Sequence, residues 1–235
     1  MPARLDYAFV AFLVVVMSVV EHVVFWPRFR GDIEAGHPRA RVRGYRWVVG
    51  GQLAFGAAVM AIWTSAGRPL ADLRLATPTG WRLALSFLIL AAITWLATYQ
   101  LRAIARTTAE RRVALRPRLG AVAFLLPRTA EERWWFMAVA VTAGVCEELI
   151  YRGYLVWMLT PWIGPIGAAA GVVALFGVGH AYQGRKGFMR ATLAGAVMGI
   201  IVLGTGWLVP AMIVHAVVDG TSGAVGYTLL KGATT

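Results

Sequence analysis

At 235 residues, 59% hydrophobic and 14% charged, with a mean hydropathy of +0.65, the chain is too apolar for a soluble domain, which runs near 45–50% apolar and about 25% charged. The net charge of +12 rests almost wholly on arginine, 21 Arg against Lys186 and Lys231. These arginines fall between apolar runs rather than on one folded face, so they speak for membrane topology and against a nucleic-acid partner. The single cysteine, Cys146, excludes an internal disulfide and any Cys-based zinc cluster.

The expected fold is an all-α, polytopic transmembrane helix bundle of about seven spans with an interfacial amphipathic segment. Span one is expected over Tyr7–Trp26, long for a signal peptide and without a small-residue cleavage site after it. Glu21 and His22 fall near its end, where interfacial exposure is the expectation, and Tyr7, Phe25 and Trp26 suit an aromatic belt. A basic loop, Pro27–Arg46, leads to span two, Trp47–Ala66. A short loop, Gly67–Trp81, carries Arg68 and Arg74 and leads to span three, which opens at Arg82 and runs to Leu101. Arg102–Arg133 is the longest polar segment, with eight arginines; its start, Arg102–Arg112, is expected to continue span three as a helix in the headgroups, with Pro117 and Pro127 ending it.

Span four is expected over Trp134–Thr160. Pro161, Gly164 and Pro165 turn the chain into span five, Ile166–Tyr182; a basic loop with Arg185, Lys186 and Arg190 leads to span six, Ala191–Leu203; and Gly204–Gly206 turns into span seven, Trp207–Leu230. The GxxxG spacings Gly167/Gly171 and Gly195/Gly199 would let spans five and six pack closely. Positive charge concentrates after spans one, three and five, which by the positive-inside rule sets these loops in the cytoplasm, the N-terminus outside and Lys231 inside. The expected localisation is thus an integral protein of the plasma (inner) membrane. The whole chain, 1–235, reads as a single membrane domain, with N-terminal spans and basic loops over 1–133 and a core over 134–230.

Inside span four lies Cys146-Glu147-Glu148-Leu149-Ile150-Tyr151-Arg152. A charge at bilayer depth costs roughly 2.5–3.5 kcal/mol, so such groups pair, face a wet cavity or do chemistry. Glu148 and Arg152 stand i,i+4 on one helix face and suit an ion pair. Glu147 points about 100° away and has no local partner, as a general base requires. The later spans add His180, one turn after Phe176, and His215, one turn before Asp219; an Asp so placed can orient an imidazole.

Glu147-Glu148-x-x-x-Arg152, then Phe176-x-x-x-His180, then His215-x-x-x-Asp219 resembles the three-motif signature of the CAAX-protease and bacteriocin-processing (CPBP, Abi) family of intramembrane proteases, relatives of the Ras-converting endopeptidase. The resemblance covers Trp134–Leu230. It implies hydrolysis of a peptide bond within the membrane, with Glu147 activating water, His180 holding or polarising it, His215 and Asp219 stabilising the oxyanion, and Glu148, Arg152 and Phe176 in support. The implied partners are the lipid bilayer and a membrane-embedded or lipid-modified protein or peptide, entering laterally, with Trp134, Trp135, Trp157 and Trp162 either flanking that entry or acting as interfacial anchors. Asp219 departs from the family, whose eukaryotic members carry Asn there. No cofactor is certain. Glu147, His180 and His215 also have the ligand chemistry of a catalytic zinc, although the His-Glu-x-x-His motif is absent, so metal-free and metal-dependent hydrolysis both stay open.

Three other proteolytic readings draw on the same residues. Gly220-Thr221-Ser222-Gly223 matches a rhomboid-type Gly-x-Ser-Gly, but no span follows to bring a His; a presenilin-like site needs a second membrane aspartate besides Asp219; and Cys146 is a nucleophile only in principle. A different class altogether is a non-catalytic scaffold or a proton-coupled transporter using the same polar cluster, against which stands the lack of corresponding polar residues in the N-terminal half. Depth raises one tension: Glu147 lies roughly 20 Å along the helix from Trp134, whereas His180 closes span five.

Overall fold

The computed structural model describes residues 2–231, and these form seven helices without strands. Six are long and apolar enough to cross a membrane: α1 (Arg4–Glu34), α2 (Ala40–Ser65), α3 (Trp81–Ala105), α5 (Ala130–Gly179), α6 (Gly184–Thr205) and α7 (Leu208–Leu230). The short α4 (Ala109–Leu115) follows α3 after a turn and runs into a 3₁₀ stretch, Arg116–Leu125, kinked at Gly120. The interfacial segment is therefore a separate helix rather than a continuation of span three.

Helix α5 supplies two passes. Gly164 leaves the helical region (φ 71°, ψ 167°) between Pro161 and Pro165, and the chain reverses there. Arg152 and Phe176 would be roughly 36 Å apart on a straight helix, yet the guanidinium carbon lies 4.4 Å from the Phe176 ring centroid. The second arm packs against the first and against α6. The seven expected passes are thus present, with spans four and five as one hairpin.

Several boundaries differ from expectation. Pro27 does not end the first span: α1 continues to Glu34, and only residues 35–39 separate it from α2. A π-helical turn, Glu21–Phe25, immediately precedes Pro27, and a ladder already shifted from the i→i−4 pattern has room for a ring that lacks an N–H. Glu21 and His22 consequently sit in the interior of the helix, half-buried, and not near its end. Arg41, Arg43 and Arg46 lie within α2, and Arg185, Lys186 and Arg190 within α6, because the spans extend as helices beyond their apolar portions.

The core is built around α7, which packs on α5 and α3, while α2 packs on α5. Gly144 makes the α5–α7 approach possible: a Cβ there would stand 2.5 Å from the Met212 carbonyl oxygen. The GxxxG expectation for spans five and six is corrected. A Cβ on Gly167 would meet only its own helix, and one on Gly199 nothing. The close approach runs instead through Gly177 against Thr192 and Gly195 against Phe176.

At one end of the bundle, Asp6 is fully buried and accepts from Arg68 (Nη1 2.8 Å, Nη2 2.6 Å), the Tyr154 hydroxyl (2.6 Å) and the Ala3 amide (2.6 Å). This knot ties the start of α1 to the loop after α2 and to α5. Trp157 belongs to it, 4.7 Å from Trp63 and 4.5 Å from the Arg68 guanidinium. Trp134 and Trp162 are exposed, as anchors or entry-flanking residues require.

Candidate active site

Span four turns π-helical at Leu149–Leu155, directly after the Glu pair. Wide turns of this kind shift side chains around the helix and recur at functional sites. Glu148, on the last α-helical residue before it, is fully buried, and its Oε1 accepts from Arg152 Nη1 (3.0 Å) and meets His215 Nδ1 (2.9 Å). Arg152 donates its other amino group to the Gly195 carbonyl on α6 (2.9 Å). A single carboxylate thus joins α5, α6 and α7. The expected Glu148–Arg152 ion pair is present, and Glu148 does more than pair: it holds the Nδ1–H and the plane of His215, the role an outer carboxylate plays for a working imidazole.

Glu147, at 21% side-chain exposure, faces elsewhere. Its Oε1 accepts from the Gln52 amide on α2 (3.0 Å), and Gln52 in turn accepts from the Thr142 hydroxyl. The other oxygen, Oε2, is buried without a hydrogen-bond partner and lies 4.0 Å from His215 Nε2. That same nitrogen is 3.5 Å from Asp219 Oδ2, whose side chain is 42% exposed. His215 therefore stands between carboxylates on both ring nitrogens, with Glu147 and Asp219 both near Nε2.

His180 caps the second arm of α5. Its Nδ1 bonds to the Phe176 carbonyl (2.8 Å), which leaves Nε2 with the free lone pair. Phe176 lies 4.4 Å from the His180 ring, 6.1 Å from that of His215 and 4.4 Å from the Arg152 guanidinium, so it forms the floor between the histidines. The depth tension dissolves once both arms are measured from Gly164: Glu147 stands seventeen residues before the turn and His180 sixteen after it, which are near-equal heights.

The sequence reading missed what the N-terminal spans contribute. Gln52 from α2 holds the candidate base. Glu21 is half-buried within α1, five residues before Trp26. Trp26 stacks flat on Tyr182, with centroids 3.6 Å apart and planes at 8°, and closes α1 over the turn beside His180. A polar Gln inside an apolar span was a readable signal for the first of these; nothing in local sequence tied Trp26 to Tyr182.

The alternative nucleophiles are placed elsewhere. The Ser222 hydroxyl donates to its own helix at the Val218 carbonyl (2.8 Å), and Cys146 is buried against Gly56. Glu147, His180 and His215 have suitable donor types for zinc, but among the described residues no three His, Cys, Asp or Glu side chains converge as a metal-holding group. His180 and His215 are held at Nδ1 by the Phe176 carbonyl and Glu148, which leaves Nε2 as the nitrogen of each that could ligate. Glu147 Oε2, His180 Nε2 and His215 Nε2 are the atoms that would hold a metal, and no step is derived through one.

Comparison with protein families matches residues 129–221 to the type II CAAX prenyl endopeptidase Rce1-like family. Neither the curated proteins nor the solved structures contain a match to the chain. The matched stretch holds the Glu pair, both histidines and Asp219, and stops short of the spans that bring Gln52 and Trp26. Over residues 129–221, the chain is thus similar to the Rce1-like family of type II CAAX prenyl endopeptidases.

Proposed function

We propose that the chain is an intramembrane endopeptidase in which Glu147 activates water to cut a membrane-embedded or lipid-anchored protein substrate. One observation carries this reading: Glu147 is held by Gln52 at one oxygen while the other is buried, unpartnered and turned toward His215 and Asp219. In the proposed step, Glu147 Oε2 takes a proton from water as the water oxygen bonds to the scissile carbonyl carbon. The C–N bond then breaks, and Glu147 returns the proton to the leaving amine. His215, doubly protonated between the carboxylates that flank both ring nitrogens, donates from Nε2 to the oxyanion, and Asp219 contributes where it carries a proton. His180 Nε2 orients the water. Positioned base catalysis supplies typically 10²–10⁴-fold, and each oxyanion donor about 10²–10³-fold.

By this account the arginine-rich ends of the helices lie in the cytoplasm, and the site opens toward that leaflet through the turn at His180–Gln183. The test compares membrane-protein termini by mass spectrometry in cells carrying wild type or Glu147→Gln at equal expression. Termini that vanish in the variant support proteolysis and name the substrate class; identical sets of termini contradict it. The run of Glu147, His215 and Asp219 across two helices favours one second reading, a proton relay. A relay predicts a pH-gradient-driven flux lost in Glu147→Gln with the termini unchanged.

A further inference from the structure

A second candidate site lies outside the polar cluster. Where α3 ends and α4 begins, a cavity of about 460 Å³ opens between these helices and the far end of α7. Arg106 and Arg111 line it with the Thr108 hydroxyl, and Ile104, Leu115 and Val225 form an apolar wall. Neither guanidinium has an ion-pair partner among the described residues, and Glu110 is the one acidic residue between Arg102 and Ala130. Just before the cavity, Trp95 and Tyr99 are exposed on α3 and stack with centroids 6.0 Å apart. Amphipathic rings of this kind settle at headgroup depth, so the cavity lies at the membrane surface.

A pocket with two unpaired cations at the water side and an apolar wall running toward the hydrocarbon suits one chemistry. We infer that it binds an anionic phospholipid, the phosphodiester between Arg106 and Arg111 and an acyl chain along Ile104, Leu115 and Val225. The assignment is independent of the proteolytic reading.

Its occupant would brace the site helix. Val225 lies under two turns from Asp219 on α7. The same end of α7 is already clamped by Arg116 Nε donating to the Leu229 carbonyl (2.8 Å) and by apolar packing of Leu229 and Leu230 with Leu126, Ile104 and Leu115. A lipid seated here joins α3, α4 and α7 at one point and is expected to raise the melting temperature of the whole bundle.

The test uses the purified full chain in neutral detergent, with phosphatidylglycerol, phosphatidylcholine or inorganic phosphate as probes. Retained lipid is read by native mass spectrometry and stability by thermal melting. The wild type is expected to retain phosphatidylglycerol over phosphatidylcholine by roughly tenfold or more, and to melt higher with it. The double variant Arg106→Gln/Arg111→Gln should lose both effects, while Arg118→Gln, an exposed arginine outside the cavity, should keep them. Equal retention of the two lipids, or a double variant that behaves as wild type, overturns the proposal. A melting shift reproduced by inorganic phosphate alone reassigns the arginines to a soluble anion and overturns the lipid.

Discussion

Of the buried carboxylate–arginine pairs along α5, two are joined to Tyr154 and Glu148, only six residues apart, and they are built differently. Around Asp6, four donors saturate the carboxylate and neither partner has an orphaned atom. Around Glu148, the pair with Arg152 spans three helices but leaves Glu148 Oε2, Arg152 Nε and the neighbouring Glu147 Oε2 buried and unpartnered. Leaving such groups unsatisfied costs about 1–3 kcal/mol each. The Asp6 knot shows that packing alone can satisfy such groups. The unsatisfied cluster is the one that coincides with a π-helical turn, with two histidines and with the family match. The difference separates a fastener from a site that holds capacity in reserve for a bound group.

Substitutions can break this contrast, beginning with the greatest expected effect. Arg152→Leu strands Glu148 as an uncompensated buried charge and should cost about 3–5 kcal/mol, seen as a collapse in melting temperature together with activity. Asp6→Asn removes the charge from the fastener and should cost about 1.5–3 kcal/mol, with cleavage per folded molecule unchanged. If Asp6→Asn lowers the rate instead of the stability, the two clusters are not separate. Gln52→Leu removes the one donor to Glu147 and should reduce the turnover rate up to about tenfold with little change in melting temperature. Ser222→Ala should leave the cleavage rate as it was, since that hydroxyl serves its own helix; a loss would revive the serine-protease reading.

The sequence made the later spans legible because their chemistry is spaced by helical turns: Glu148 with Arg152, Phe176 with His180 and His215 with Asp219 each fall i,i+4 and each share a face in the structure. It also held the register of the site, since Gly164 sits between two prolines and Glu147 and His180 are nearly equidistant from it; counting from Trp134 hid this. Span ends were less legible. Hydropathy reports where apolar residues stop, whereas α1, α2 and α6 carry their helical hydrogen bonds onward through Arg and Lys residues that reach the interface. Reading Pro27 as a terminator displaced Glu21 to the surface and removed α1 from the site. Contacts such as Gln52 to Glu147 and Trp26 on Tyr182 join residues ninety or more positions apart, and no local period encodes them.

The most direct test of the Glu147 assignment is the cleavage rate of purified wild type and Glu147→Gln on one substrate found by the terminal comparison, at equal amounts of folded protein verified by melting. The amide keeps the size of the side chain and its Oε1 acceptor for Gln52 but cannot take a proton. The account predicts a loss of about 10²–10⁴-fold in turnover at an unchanged melting temperature. A Glu147→Gln protein that cleaves within a fewfold of wild type would contradict it and return the polar cluster to a packing or relay role.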